Sequence, residues 1–442
     1  MESIKTILVS LGRSAKRTML PMVGPHRHRL SLTVAASALA VAGVAFGQAA
    51  LARDNDHDQH WVGTWSASPG LASPTGFNNQ TLRMIVHTSI GGDDVRVRLS
   101  NAFGAQSLVV GGAHVALQSG GVAIVPGSDR ALTFSGNSSI TIPPGALVVS
   151  DPVELNVPAL SNLAVSIYVP GDTGPVTEHD LAVQTNYIST PGDYTGATTV
   201  PVFATKTSWF FVSGVEVKAS ERTRAIVTFG NSITDGYCST LDANRRWPNF
   251  LAKRLLASRH KSKLAVLDEG ISGNRVLHDG LIPAFGPNAL ARFDRDVLVQ
   301  TGVKYVIVLE GINDFGHAAP GTPEAVTADD IIAGYRQLIV RAHERGLTIF
   351  GGTLTPYKGT IFPGYYNDVG EANREKVNQW IRTSGAFDGI IDFDAAVRDP
   401  SNPLQVLPAY DCGDHLHPND AGYKAMADAI DLSLFRGDDD DD

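Results

Sequence analysis

Between Trp61 and about Val217, apolar positions alternate with polar ones in short runs. The clearest run is Val95-Arg96-Val97-Arg98-Leu99, whose period of two predicts a half-buried strand. It follows a Gly91-Gly92-Asp93-Asp94 turn, and Leu82 to Ser89 predicts the strand before it. Further strands are predicted at Leu108 to Val110, Ala131 to Phe134, Leu147 to Val149, Leu163 to Val169 and Phe210 to Val217. Gly, Pro, Asn and Asp punctuate these runs at short intervals. The pattern predicts an antiparallel β-sandwich or jelly roll over residues 61–220.

From about Arg224 the pattern changes. Short apolar runs (Ala225 to Phe229, Leu264 to Leu267, Tyr305 to Leu309, Leu347 to Phe350, Gly389 to Phe393) alternate with helical ones. The helices are predicted at Trp247 to Ser258, Ile331 to Glu344, Glu371 to Thr383 and Ala421 to Leu434. Buried strands alternating with helices predict an α/β domain over residues 221–436, with a parallel sheet covered on both faces. Ligands of such sheets sit beyond the carboxyl ends of the strands. The chemistry is therefore expected just after each strand.

The first 52 residues differ from both regions. Lys5, Arg13, Lys16, Arg17, Arg27 and Arg29 precede an alanine-rich apolar run from Leu30 to about Phe46, followed by Ala50-Leu51-Ala52. This predicts a signal peptide cleaved near Ala52 and an exported protein, periplasmic or extracellular. The apolar run is short and lacks a stop-transfer flank, so stable membrane insertion is not expected. Residues 53–60 form a polar leader whose Asp and His residues have nothing to fix a metal-binding geometry, and 437–442 an acidic tail expected to be disordered. Net charge is −9 for the 442 residues, and −14 once the +5 of residues 1–52 is removed. With no basic face, nucleic acid is excluded as an expected partner. A hydrophobic content of 43% is enough for packed cores over most of the chain. Nothing in the sequence sets the oligomeric state.

After the first α/β strand comes Gly230-Asn231-Ser232-Ile233-Thr234-Asp235-Gly236, where a serine on a tight turn can be exposed amid backbone N–H groups. After the second comes Gly270-Ile271-Ser272-Gly273-Asn274; glycine there lets backbone approach a ligand. After the third comes Glu310-Gly311-Ile312-Asn313-Asp314, whose Asn313 is either a turn residue or an amide donor to a ligand. Before the last helix, Asp414-His415-Leu416-His417-Pro418-Asn419 spaces Asp414 and His417 so that a carboxylate can orient an imidazole. His415, adjacent to Asp414, is expected to point elsewhere. Each segment alone is as readily an ordinary turn.

Together, and in this order, the four segments resemble the Ser, Gly, Asn and Asp-x-x-His blocks of the SGNH (GDSL-like) hydrolase superfamily. Trp247-Pro248, Leu354-Thr355-Pro356 and His417-Pro418-Asn419 fit the same context, and the resemblance covers residues 224–434. More loosely, Trp61-Val62-Gly63-Thr64-Trp65 and the stretch through Arg96, Arg98, Asn101, Phe103 and Gly104 resemble the β domain of two-domain members. One departure is Asn231, where the family usually has aspartate.

The resemblance implies a flavodoxin-like three-layer hydrolase domain and a serine esterase working without cofactor or metal. Ser232 would be the nucleophile, His417 its base and Asp414 the orienting acid. The N–H groups of Ser232 and Gly273 and the Asn313 side chain would form the oxyanion hole. If the blocks assemble so, Cys238 and Cys412 meet at one rim, and an exported chain would join them in a disulfide. The expected substrate is a small-molecule or polysaccharide ester with a short acyl group, such as acetyl on carbohydrate. Alternatives are a lipase or thioesterase for longer chains, and a non-catalytic carbohydrate-binding protein. Tyr357, Tyr365 and Tyr366 are candidates to line the substrate pocket. Trp61, Trp65, Trp209, Phe210 and Phe211 are more readily core than a sugar-stacking platform.

Overall fold

A computed structural model describes residues 59–71, 73–258, 261 and 263–435. The expected signal peptide, most of the leader and the acidic tail lie outside the described residues. Two antiparallel sheets form the first half. One runs in the order Gln59–Ser66, Val212–Ser220, Gly92–Ser100, Val153–Val157, with Leu147–Val149 also pairing with Gly92–Ser100. The other runs Val202–Lys206, Asn186–Pro191, Gln80–His87, Asn162–Val169, Gly112–Gly120, Ala123–Ile124. Val95, Val97 and Leu99 of the first sheet and Leu82, Met84, Val86, Leu163, Val165 and Ile167 of the second belong to one apolar cluster. The polar alternates Arg96 and Arg98 both pair with the buried Glu216 on the neighbouring strand. The period-two pattern thus puts apolar side chains into the cluster and arginines onto a shared carboxylate.

The second half is a five-stranded parallel sheet in the order Leu264–Gly270, Arg224–Gly230, Val303–Leu309, Thr348–Gly352, Gly389–Ile391. In chain order this is 2-1-3-4-5, the flavodoxin-like arrangement whose crevice lies where the strand order reverses, between first and third strands. The helices Trp247–Ala257, Ala328–His343, Asp368–Thr383 and Asp420–Asp428 flank it.

The sheets of the first half do not stand apart from the second. One apolar cluster runs from Val62 and Trp65 through Leu267 and Val306 to Phe435. Gly63 donates its N–H to Thr301 O at 2.9 Å, and a Cβ there would lie 2.8 Å from Leu267 Cδ1, so a larger residue would push that leucine aside. Val266 N–H donates to Ser89 Oγ at 3.0 Å. Glu216 also accepts from Thr301 Oγ1 at 2.8 Å, tying the arginine pair of one half to the other.

Several expected boundaries shift. The strand expected at Ala131 to Phe134 shrinks to Arg130–Ala131. The run from Phe210 to Val217 divides into Trp209–Phe210 and Val212–Ser220, because Phe211 adopts φ +61°, which no strand residue does. The Gly-Gly-Asp-Asp stretch is already strand from Gly92. Gln59 and His60, placed in the leader, begin the first strand, and His60 Nε2 contacts Thr223 O at 2.9 Å. The last helix ends at Asp428, with a separate turn at Leu432–Leu434. The helix expected from Ile331 starts at Ala328, where Thr327 and Asp330 form a reciprocal capping box. Trp65, Trp209, Phe210 and Phe211 are buried, and Trp61 is covered by Arg96 at 4.4 Å, so these aromatics form core rather than a stacking platform.

Because the core is shared, a chain beginning at residue 221 would expose the apolar surface that Val62 and Trp65 cover. Such a chain is expected to lack a cooperative thermal transition and to bind an apolar dye. Circular dichroism and dye fluorescence check this; a sharp transition like that of the longer chain would contradict it.

Candidate active site

Ser232 opens a single helical turn, Ser232–Asp235, directly after the Arg224–Gly230 strand. Asn231 caps that turn through Oδ1, which accepts from Ile233 N–H at 3.1 Å. An aspartate oxygen would make the same bond, so the cap survives the family's departure. The Asn231 amide nitrogen, which aspartate lacks, has no partner among the described residues. Gly236 closes the turn in the left-handed conformation, and its N–H donates to Ser232 O.

Ser232 Oγ lies 2.8 Å from His417 Nε2. His417 Nδ1 lies 2.6 Å from Asp414 Oδ2, and Asp414 Oδ1 accepts the N–H groups of Leu416 and His417 at 2.9 and 2.8 Å. A carboxylate facing Nδ1 fixes the proton there and leaves Nε2 to accept from the serine. Burial works to raise the Asp414 pKa, but the hydrogen bond and charge of His417 and the two backbone N–H groups outweigh it, holding the carboxyl below its ordinary value. The His417 ring sits between Tyr237, at 4.5 Å, and Phe362, at 6.2 Å between centroids. His415 instead pairs with Asp411 and is half exposed.

The other two blocks meet the same space. Gly273 has φ +74°, and a Cβ there would lie 2.2 Å from the Phe285 ring, so both conformation and room demand glycine. Among the described residues, the N–H groups of Ser232 and Gly273 have no hydrogen-bond partner. Asn313 donates one amide hydrogen to Asn274 O at 2.8 Å, and its Oδ1 accepts from Tyr365 OH at 2.6 Å. These two bonds set the amide orientation and leave its second hydrogen free. Ser232, Gly273, Asn313 and His417 all line one cleft of about 430 Å³.

The remaining walls are mostly apolar. Leu281, Phe285, Phe362, Pro363, Tyr365 and Leu416 contribute to them, with Tyr237 and His317. Burial, then the charge of Arg275, lowers the His317 pKa to about 4, so its ring is neutral at physiological pH. Tyr357 and Tyr366 do not line the cleft. Tyr357 is fully buried behind it, in a cluster with Ile312, Tyr365 and Leu416, and Tyr366 packs on Tyr357 at 5.1 Å. Their loop does reach the cleft, but through Tyr365, Phe362 and Pro363. Tyr365, Phe285 and His317 lay in loops after strands where a site was expected, yet no residue pattern marks which loop side chain turns inward.

Cys238 and Cys412 form a disulfide, with Cα atoms 6.2 Å apart and 174 positions between them in sequence. It joins the loop after Ser232 to the loop before His417. Their grouping with Asp414 offers no metal site, since each sulfur is bonded to the other. Asp420 adds a second tie, accepting from Thr240 N–H at 2.9 Å, Thr240 Oγ1 at 2.6 Å and Arg245 Nη1 at 2.8 Å. Among the described residues no helix is long and apolar enough to cross a membrane.

Two outcomes follow from this geometry. Replacing both Cys238 and Cys412 by serine is expected to lower the unfolding free energy by about 2–4 kcal/mol, read from urea denaturation. Gly273→Ala is expected to reduce kcat about 100-fold or more, because the loop must move off Phe285 and carry a donor with it. Ester turnover per folded molecule checks this; an unchanged kcat would contradict it.

Among curated proteins none matches the chain. Solved structures similar to it include an aryl esterase from M. smegmatis, 17% identical, covering 47% of this chain and 96% of that one, with a TM-score of 0.38. Another is a carbohydrate acetylesterase from Sinorhizobium meliloti, 16% identical over 47% and 96% of the two chains, TM-score 0.37. A third is a variant acetyl-xylooligosaccharide esterase from Geobacillus, 22% identical over 47% and 91%, TM-score 0.36. Residues 228–425 match the model of the GDSL-like lipase/acylhydrolase family. That match places the α/β half of the chain, and with it the strand-end cleft, in the SGNH superfamily of carboxylic ester hydrolases.

Proposed function

We propose that the protein is an exported serine esterase that cleaves carboxylic esters through a Ser232–His417–Asp414 triad and an acyl-enzyme intermediate. The observation that carries this reading is the line of contacts from Ser232 Oγ to His417 Nε2 and from His417 Nδ1 to Asp414. His417 takes the Ser232 proton as Oγ attacks the ester carbonyl, and Asp414 stabilises the imidazolium that forms. The tetrahedral oxyanion is held by the Ser232 and Gly273 N–H groups and the free Asn313 amide hydrogen. His417 returns the proton to the leaving alcohol. It then activates a water that releases the acid and frees Ser232. No step needs a metal or cofactor. The basic, alanine-rich start of the chain supports export.

The acyl group is proposed to be short, with acetylated carbohydrate the first natural class to try. A second reading, longer acyl chains, is favoured by the apolar walls of Leu281, Phe285 and Phe362.

The test is hydrolysis of aryl esters from acetate to long acyl chains by the unaltered protein and by Ser232→Ala. Turnover is expected to fall about 10⁴-fold or more in the variant, with acetate the preferred acyl group in the unaltered protein. Preference for long chains would transfer the assignment to the second reading. Equal activity in Ser232→Ala would overturn the nucleophile.

A further inference from the structure

Behind the serine loop lies a buried polar chain that the mechanism above does not use. His179, 6% exposed, belongs to the first half of the molecule, on the short strand Glu178–His179 that pairs with Trp209–Phe210. Its Nδ1 lies 2.7 Å from Ser68 O, and its Nε2 lies 3.0 Å from Asp235 Oδ1 and 3.2 Å from Leu181 O. Carbonyl oxygens only accept, so both ring nitrogens face acceptors and both carry hydrogen. Asp235 stands three residues after Ser232 and is also buried. Its second oxygen, Oδ2, accepts from Ser272 N–H and Ser272 Oγ, each at 2.9 Å. Ser272 immediately precedes Gly273.

We propose that His179 is a positioning residue of the esterase: through Asp235 it fixes Ser272, and so aims the Gly273 N–H at the oxyanion. This rests on the esterase reading above and adds a role for the first half in the chemistry. An uncharged partner at position 179 would leave Asp235 free to turn away from Ser272. The left-handed Gly273 would then lose the only side-chain tie on its N-terminal neighbour among the described residues.

The surroundings set the protonation of His179. Burial opposes its charge, but the charge and hydrogen bond of Asp235 and the bond to Ser68 O prevail, lifting the pKa to about 9; Arg246 works against them. Asp180 and Asp268 are the other charges facing it. Since the folded-state pKa lies above the ordinary histidine value, the stability contributed by the charged contact is complete below about pH 6.5. It is lost as pH rises through about 9.

The experiment compares the unaltered protein with His179→Gln and Asp235→Asn, each rate normalised to sites titrated with an aryl phosphonate, and with Ser232→Ala, which lacks the oxygen that reacts with the phosphonate and is normalised to folded protein. His179→Gln is expected to lower kcat about 10- to 100-fold with KM changed less than about twofold. Its affinity for a trifluoromethyl ketone, whose adduct forms the oxyanion, is expected to fall by the same factor as kcat/KM. Asp235→Asn should reproduce the effect, because its NH2 must face either the Ser272 N–H or the protonated His179 Nε2, and either way one donor loses its acceptor. In the unaltered protein the rate should decline above about pH 9, and His179→Gln should lack that limb. A merely structural role would reduce the number of titrated sites and leave kcat per site and ketone affinity unchanged; that result overturns the proposal. Full activity in Ser232→Ala would instead overturn the esterase reading itself, and the two failures are distinguishable.

Discussion

The geometry of the strand ends depends on one buried cation. Arg292, 1% exposed, donates from Nη2 to Gly230 O at 2.9 Å, from Nη1 to Glu269 O at 2.8 Å and from Nε to Asn274 Oδ1 at 2.8 Å. These acceptors belong to the end of the first strand, the end of the second, and the residue after Gly273. A flat guanidinium with five donors is suited to holding three loops in fixed relation; an ammonium would not span them. A buried charge is tolerable only when compensated. Asp296 supplies the compensation at 3.2 Å. Burial works to raise Asp296, but Arg295 and Arg292 hold its pKa below the ordinary value. Ser68 Oγ, from the first half, accepts from Arg292 at 3.1 Å and donates to Glu269 at 2.5 Å. The cation therefore ties both halves to the ends of the strands that carry the candidate site.

The fixed strand ends explain why the two cysteines and the second half's last helix matter locally. The proposed nucleophile and its base come from opposite ends of the α/β half, 185 positions apart. A sheet alone sets the height of Ser232, but His417 sits on a loop that leaves the sheet after its last strand. Its place comes from the disulfide, from the Asp420 contacts to Thr240 and Arg245, and from Cys412 N–H donating to His417 O at 3.1 Å. Tyr423, on the last helix, closes the same gap by donating to Tyr237 O at 2.5 Å. Several weak ties spread across one seam position the imidazole more firmly than any one of them would.

What the sequence disclosed, and what it did not, follows from the range of the interactions. Ser232, Gly273, Asn313, Asp414 and His417 were legible as candidates because their four segments, each beside a strand or helix end, together resemble the blocks of a known superfamily; none was distinguishable from an ordinary turn by local pattern alone. The five parallel strands were legible as apolar runs, since burial on both faces favours apolar residues along most of each strand. The strands Gly112–Gly120, Asn186–Pro191 and Val202–Lys206 were not. Val202–Lys206 is an edge strand with little burial, and the other two mix buried and open positions without clean alternation. The cleft walls were legible only in part: of the three tyrosines expected there, Tyr365 lines the cleft and the other two do not. Tyr357, Tyr365 and Tyr366 are chemically alike and adjacent, and only the fold decides that Tyr365 meets Asn313 while Tyr357 packs behind it. His179 was invisible because its partner Asp235 lies 56 residues away in another half.

The charge pattern around Asn313 is as important to the proposed chemistry as the donors themselves. An oxyanion beside Asn313 would be opposed by any ionised carboxylate close behind it. Two carboxyls lie there, Glu310 and Asp314, both buried. Burial pushes Glu310 well above the usual range, and no described residue bonds either of its oxygens. Burial also raises Asp314 to about 7, although the N–H groups of Val276 and Leu277 donate to it at 2.8 and 3.1 Å and favour its charge. Asp414, across the cleft, is held ionised by comparable backbone donors plus His417. The difference lies in the deeper burial of Asp314 and in the histidine partner that only Asp414 has. The fold thus keeps negative charge on the side where the proposed mechanism forms an imidazolium, and weakens it on the side proposed to receive an oxyanion.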